Sequence, residues 1–127
     1  MAKILVVDDD KQIRWILCEV IKQIGHEVVE AENGKVALRH LHDAPIDIVI
    51  TDIVMPEKEG LETIIEMKRD FPDVKIIAMS GGGQWGSHTY LELAEKFKVA
   101  RTFEKPMNIP VLLSAIESLC TEMDSHA

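Results

Sequence analysis

Aromatic residues make up only 5% of this 127-residue chain, and cysteine occurs twice, at Cys18 and Cys120. Two cysteines so far apart cannot staple a small disulfide scaffold, and they read as buried, inert thiols of a reducing compartment. Glycine (7) and proline (5) are scarce, which excludes collagen-like repeats and low-complexity disorder. Basic residues are outnumbered: 14 Lys and Arg against 22 Asp and Glu give a net charge of −8 and a pI near 5.0. Nucleic-acid phosphates and anionic membranes repel such a chain at long range, so direct nucleic-acid binding is not expected. No apolar run approaches the length of a membrane span, and no membrane partner is expected. Met1-Ala2-Lys3 leads through Ile4–Val7 straight into Asp8, Asp9 and Asp10, too short and too quickly acidic for a signal peptide; a cytoplasmic location is the expectation.

What is present is a globular composition, 46% apolar and 28% charged. A chain of this size hides roughly two thirds of its unfolded surface, enough to build a core without staples. Residues 1–127 are therefore expected to form a single domain, with its core over about residues 3–121.

Ile4–Val7 is a short apolar run ending at acids, as in a strand buried on both faces of a parallel sheet. Similar runs cover Glu27–Ala31, Ile46–Thr51 and Val74–Met79, with a weaker one at Ala100–Phe103. Between them lie helical patterns. Ile13, Ile16, Leu17, Val20, Ile21 and Ile24 recur at helical spacing, with Asp10 as an N-cap and Gly25 where a C-terminal cap belongs. Asn33-Gly34 opens a second helix carrying Val36, Ala37 and Leu41. Gly60 precedes a third, with Leu61, Ile64 and Ile65 inward and Pro72 closing it. Beyond a loop of Gly81, Gly82, Gly83 and Gly86, the residues Tyr90, Leu91, Ala94 and Phe97 outline a fourth, less sharply patterned helix. Asn108 caps a last one, with Pro110 in its first turn and Leu112, Ile116, Leu119 and Met123 as its buried stripe. Strands alternating with helices through short loops imply an α/β fold, a doubly wound parallel sheet of the (βα)5 kind. Ligands of such sheets lie beyond the carboxyl ends of the strands.

Those ends carry Asp8 and Asp9 after the first strand, Asp52 after the third, Ser80 after the fourth and Lys105-Pro106 after the fifth. If the first and third strands are neighbours, about 4.8 Å apart, their carboxylates share one cleft. At an effective dielectric of 20, two such charges about 4 Å apart repel by roughly 4 kcal/mol, which calls for a cation. An all-oxygen set with room for water and a phosphate oxygen suits Mg²⁺ better than Ca²⁺. A carboxylate beside such an ion can attack phosphorus, with Lys105 and Ser80 placed to neutralise and hydrogen-bond the transferring oxygens. The five histidines, His26, His40, His42, His88 and His126, form no ligand pattern and read as solvated surface groups.

From Ile4–Asp9, Asp52 with Met55-Pro56-Glu57 and Gly60 beyond it, Ser80, and Lys105-Pro106, the chain resembles the receiver domain of two-component response regulators, over about residues 3–121. The resemblance implies a flavodoxin-like sheet of strand order 2-1-3-4-5. It implies that Asp52 accepts a phosphoryl group, with Asp9, Asp8 and the backbone carbonyl of Val54 joining Asp52 around Mg²⁺. Ser80 would be the hydroxyl that moves to the phosphate, Lys105 its cationic partner, and Pro106 would follow a cis peptide bond. The phosphoryl donor would be a histidine kinase or a histidine phosphotransfer protein, and the output an altered surface read by a downstream protein or by homodimerisation. Where the family often has an aromatic switch residue, this chain has Thr102. The expectation is a loop shift without an aromatic flip, with Ser80 and Thr102 at the switch and Phe103 in the core. Of the two tryptophans, Trp85 in the glycine loop is the better candidate for a binding surface than Trp15.

Two other chemistries use comparable parts. A Mg²⁺-dependent aspartyl phosphohydrolase usually places a second Asp two residues after the nucleophile, where this chain has Val54, and carries a cap for which there is no spare length. A flavodoxin-like FMN carrier would want hydroxyl and amide donors where Asp8, Asp9 and Asp10 stand. The expected activity is therefore that of a switch catalysing only its own phosphorylation and dephosphorylation.

Overall fold

The computed structural model describes residues 1–53, 59–80, 99–105 and 107–125. Val54, Pro106, the glycine loop with Trp85, the expected helix around Tyr90–Phe97, His88 and His126 lie outside the described residues. In chain order the elements are β1 (Lys3–Val7), α1 (Lys11–Gln23), β2 (Glu27–Ala31), α2 (Gly34–Asp43), β3 (Ile48–Asp52), α3 (Glu59–Asp70), β4 (Lys75–Ser80), β5 (Arg101–Glu104) and α4 (Ile109–Ser125). The strands form one parallel sheet in the order β2-β1-β3-β4-β5. The expected strand order is thus observed, with boundaries shifted by at most two residues at β3, where Ile46 precedes the strand yet stays in the core.

Apolar runs form strands here because both faces of the sheet are covered. Successive side chains alternate sides: Leu5, Val7, Val49, Ile76 and Ala78 pack with Ala37, Leu41, Ile64 and Met67 of α2 and α3. Ile4, Val6, Ile48, Ile50, Ile77 and Met79 pack on the other face with Leu17, Ile21, Leu112, Ile116 and Leu119 of α1 and α4. The edge strands β2 and β5 are only partly covered.

The caps follow the local chemistry of the sequence. Asp10 Oδ1 accepts from the backbone N–H of Gln12 (2.9 Å) and Ile13 (3.2 Å) at the start of α1. Asn33 does the same for Val36 (2.9 Å), and Asn108 for Val111 (3.2 Å). Gly25, with φ of +95°, turns the chain after α1 through a conformation that side chains with a Cβ rarely adopt.

Three expectations about side chains are corrected. Ile16 and Ile24 stand 45% and 37% exposed, because the sheet covers a narrower stripe of α1 than the apolar spacing spans. Ile65 on α3 is likewise exposed, and Met67 takes the inward place beside Ile64. His26 is not a surface histidine but is buried. Its Nδ1 accepts from the Ala2 N–H (3.0 Å) and its Nε2 lies 2.9 Å from Glu117 Oε1, so one ring ties the start of β1 to α4. A ring whose Nδ1 accepts must carry its proton on Nε2, which makes that nitrogen the donor to Glu117.

Gly34 lets α2 pass close to α3: a Cβ built there would fall on the Thr63 side chain, 3.0 Å from its Cβ. Alanine favours an exposed helix over glycine by about 1 kcal/mol, so packing and propensity oppose each other at this position. Overpacking should win. Gly34→Ala is expected to lower unfolding stability by about 1–3 kcal/mol in a denaturant melt. An unchanged or raised midpoint would mean that Thr63 yields without cost.

Candidate functional site

Strand register places the site. Val7 pairs with Thr51, Asp52 with Met79 and Ser80 with Glu104, so the carboxyl ends of β1, β3, β4 and β5 finish at one level. The strand order reverses between β1 and β3, and that is where a doubly wound sheet opens a crevice. Asp8, Asp9 and Asp52 converge there, each offering a carboxylate oxygen within 4.8 Å of the others. Asp8 and Asp52 are buried, whereas Asp9 is exposed at the mouth.

Lys105 reaches into this acidic group from the end of β5. Its Nζ donates to Asp52 Oδ2 at 2.6 Å and to Asp8 Oδ2 at 2.9 Å. Burial opposes the charge on Lys105, but the hydrogen bonds to Asp52 and Asp8, with their negative charges, outweigh it and hold the ammonium above the ordinary lysine range. A folded-state value above the unfolded one contributes stability that is complete below the unfolded lysine value. That contribution is lost only as pH rises through the folded one, so it is intact at neutral pH.

The backbone around these side chains is tied strand to strand. The Lys105 N–H donates to the Ser80 carbonyl (2.9 Å), and the Ile53 N–H to the Met79 carbonyl (2.9 Å). Asp8 Oδ1 accepts from the Asp10 N–H at 2.8 Å, fixing the turn that carries the acids. Ser80 is fully buried at the end of β4, beside the acidic group. Thr102 is half-buried on β5 and pairs with Ala78, while the neighbouring Phe103 packs against the α1 and α4 face of the core. Phe103, expected in the core, is only partly buried and packs against the margin of that core.

Of the residues expected at the site, Asp8, Asp9, Asp52 and Lys105 are brought into one group and Ser80 is set next to it. Val54 and Pro106 are outside the described residues. Sequence reading missed Arg14, whose Nη1 donates to the Asp8 carbonyl at 2.8 Å. The available signal was a basic residue one turn after the N-cap of α1, within its apolar stripe. The tryptophan shown to be exposed is Trp15, at 63%.

The model of the response regulator receiver domain matches residues 4–117. The chain belongs to the response regulator receiver family. It is 37% identical over 119 residues to the transcriptional regulator NtrC of Azospirillum brasilense, covering 91% of this chain and 24% of that protein. The receiver domain protein of Clostridium thermocellum superposes with a TM-score of 0.90 at 29% identity, each chain covered in full (100%). The response regulator TrrA of Thermotoga maritima, solved in complex with Mg²⁺-BeF, gives a TM-score of 0.81 at 34% identity, covering 94% of this chain and 99% of that one. This receiver thus carries the acidic pocket of a two-component signalling domain on the flavodoxin-like sheet.

The receiver's bridging lysine yields a stability test. Lys105→Met would leave Asp8 and Asp52 buried against each other with their shared cation gone. Breaking such a buried pairing costs about 3–5 kcal/mol, and some relaxation toward solvent is open to this site. The expected loss in metal-free buffer is about 3 kcal/mol by chemical denaturation. Unchanged stability would show that the two carboxylates do not depend on the ammonium.

Proposed function

We propose that this receiver is the phosphoacceptor of a two-component phosphorelay, a switch that takes a phosphoryl group onto Asp52 from a phosphohistidine of a partner protein. The observation that carries the reading is the bridge from the Lys105 ammonium to the buried Asp52 and Asp8 carboxylates, inside a group of three acids. A carboxylate so placed has a cation at its side to neutralise phosphoryl oxygens and further acids close by that can hold a metal, which supports attack on phosphorus by Asp52.

The donor set fits Mg²⁺. Carboxylate oxygens of Asp8, Asp9 and Asp52 within 4.8 Å of one another, without histidine or cysteine, suit a hard ion. When bound, Mg²⁺ would supply charge neutralisation at the equatorial oxygens of the transferring group. Asp52 supplies the attacking oxygen, forming the bond to phosphorus as the bond to the imidazole nitrogen of the donor breaks. Lys105 moves from bridging two carboxylates to pairing with a phosphoryl oxygen, and Ser80 donates its hydroxyl to another. The Ser80 carbonyl already accepts from the Lys105 backbone, so a shift of one is felt by the other.

A protein donor is favoured by the surface beside the site. Ile13, Ile16, Leu17, Met107 and Ile109 line an apolar groove together with Lys105. An apolar face of a partner helix can lie there while its phosphohistidine reaches Asp52. Homodimerisation or docking of a downstream protein would then read the changed surface.

Acetyl phosphate, as a small donor, isolates the chemistry from the partner. With Mg²⁺, the wild-type protein should gain a single phosphoryl adduct in intact-protein mass spectrometry. Asp52→Asn and a chelated sample should gain none. Consumption of acetyl phosphate without any adduct would favour the phosphohydrolase instead, and an adduct on Asp52→Asn would move the acceptor elsewhere.

A further inference from the structure

Arg14 is a basic residue bonded to the backbone of the site that the chemistry above does not use, and its placement is specific. Its side chain is 12% exposed although it stands on α1 near solvent, whereas that of its ion-pair partner Glu30 is 53% exposed. Nε donates to Glu30 Oε1 at 2.8 Å, and Nη1 donates to the Asp8 carbonyl at 2.8 Å. One planar group therefore joins α1, β2 and the turn after β1. A guanidinium presents its donors in a rigid planar fork, whereas a lysine ammonium is a point charge on a flexible stem.

The same turn is held from other sides. The Asp8 N–H donates to the Ala31 carbonyl (3.2 Å), the residue after Glu30, and the Asp10 N–H donates to Asp8 Oδ1 (2.8 Å). Amide, carbonyl and carboxylate of Asp8 are each tied: Arg14 brings a positive charge to the carbonyl, as Lys105 does to the carboxylate. Cys18 Sγ lies 3.9 Å from Glu30 Oε2. Burial and then the charge of Glu30 push this thiol up to about 11, so it stays neutral and donates weakly to Oε2 while the guanidinium holds Oε1.

We propose that Arg14, aligned by Glu30, is a positioning residue for the divalent-cation end of the site. By holding the Asp8 carbonyl it sets the turn that presents the Asp8 and Asp9 carboxylates, while its pairing with Glu30 offsets its own charge. The proposal rests on the Mg²⁺ reading above. Groups that orient metal-binding side chains typically contribute about 10–100-fold in affinity, and Arg14 acts on the Asp8 backbone instead of the carboxylate itself, which places it at the lower end.

Calorimetric titration of Mg²⁺ into wild type, Arg14→Ala, Arg14→Lys and Glu30→Gln tests it. Arg14→Ala should raise the Mg²⁺ Kd about tenfold. Arg14→Lys keeps the charge but not the fork, and Glu30→Gln keeps the fork but not its anchor, so each should weaken binding by less. Labelling with acetyl phosphate should show the half-saturating Mg²⁺ concentration rising in the same order, while the rate at saturating Mg²⁺ stays near that of wild type. A purely architectural arginine would lower stability and leave the Mg²⁺ Kd alone. Unchanged affinity in Arg14→Lys and Glu30→Gln overturns the proposal even if Arg14→Ala does not fold. A wild-type protein that neither binds Mg²⁺ nor takes up phosphoryl overturns the reading beneath it, whereas normal binding in every variant overturns the positioning role alone.

Discussion

The Lys105 ammonium between the Asp8 and Asp52 carboxylates is the contact on which the rest of the arrangement depends. Two carboxylates whose oxygens lie within 4.8 Å of each other repel by at least about 3 kcal/mol at an effective dielectric of 20, and neither is solvated enough to escape that cost. The sheet imposes the problem by ending β1 and β3 side by side. It also solves it, because the same register ends β5 where a lysine can reach both acids. Site and fold are thus one construction: the apolar faces that bury the strands also fix the distances between the charges.

Such a site has two ways to balance its charge. Lysine alone balances it only in part, since Asp9 stands at the mouth as a third acid. A divalent ion added there would free the ammonium for a phosphoryl oxygen. A charge cluster of this kind is poised to exchange partners, which is the physical content of a switch. Ser80 at the end of β4 and Lys105 just beyond β5 are joined by a backbone hydrogen bond, so under the proposed function a displacement at Asp52 would be carried to both strand ends.

Much of this was legible in the sequence because the local rules agreed with one another. Uninterrupted apolar runs ending in Asp8, Asp52 and Ser80 located both the strands and their functional ends. Asp10, Asn33 and Asn108 marked helix starts by their capping chemistry, and the structure shows each of them accepting backbone N–H groups. What could not be read was set by tertiary packing. Spacing alone put Ile16, Ile24 and Ile65 inward, but the width of the covered stripe depends on how each helix sits on the sheet. His26 looked like a surface residue because its partners, Ala2 and Glu117, are distant in sequence. Arg14 was hidden for the same reason: its acceptors, Asp8 and Glu30, come from two different strand ends.

The most direct test of the central claim is NMR observation of the lysine side-chain ammonium groups in the metal-free protein across alkaline pH. One ammonium, absent from Lys105→Met, should exchange slowly, keep its proton above the range where the exposed lysines titrate, and change its resonance when Mg²⁺ is added. A Lys105 signal that titrates with the exposed lysines and ignores Mg²⁺ would contradict the account.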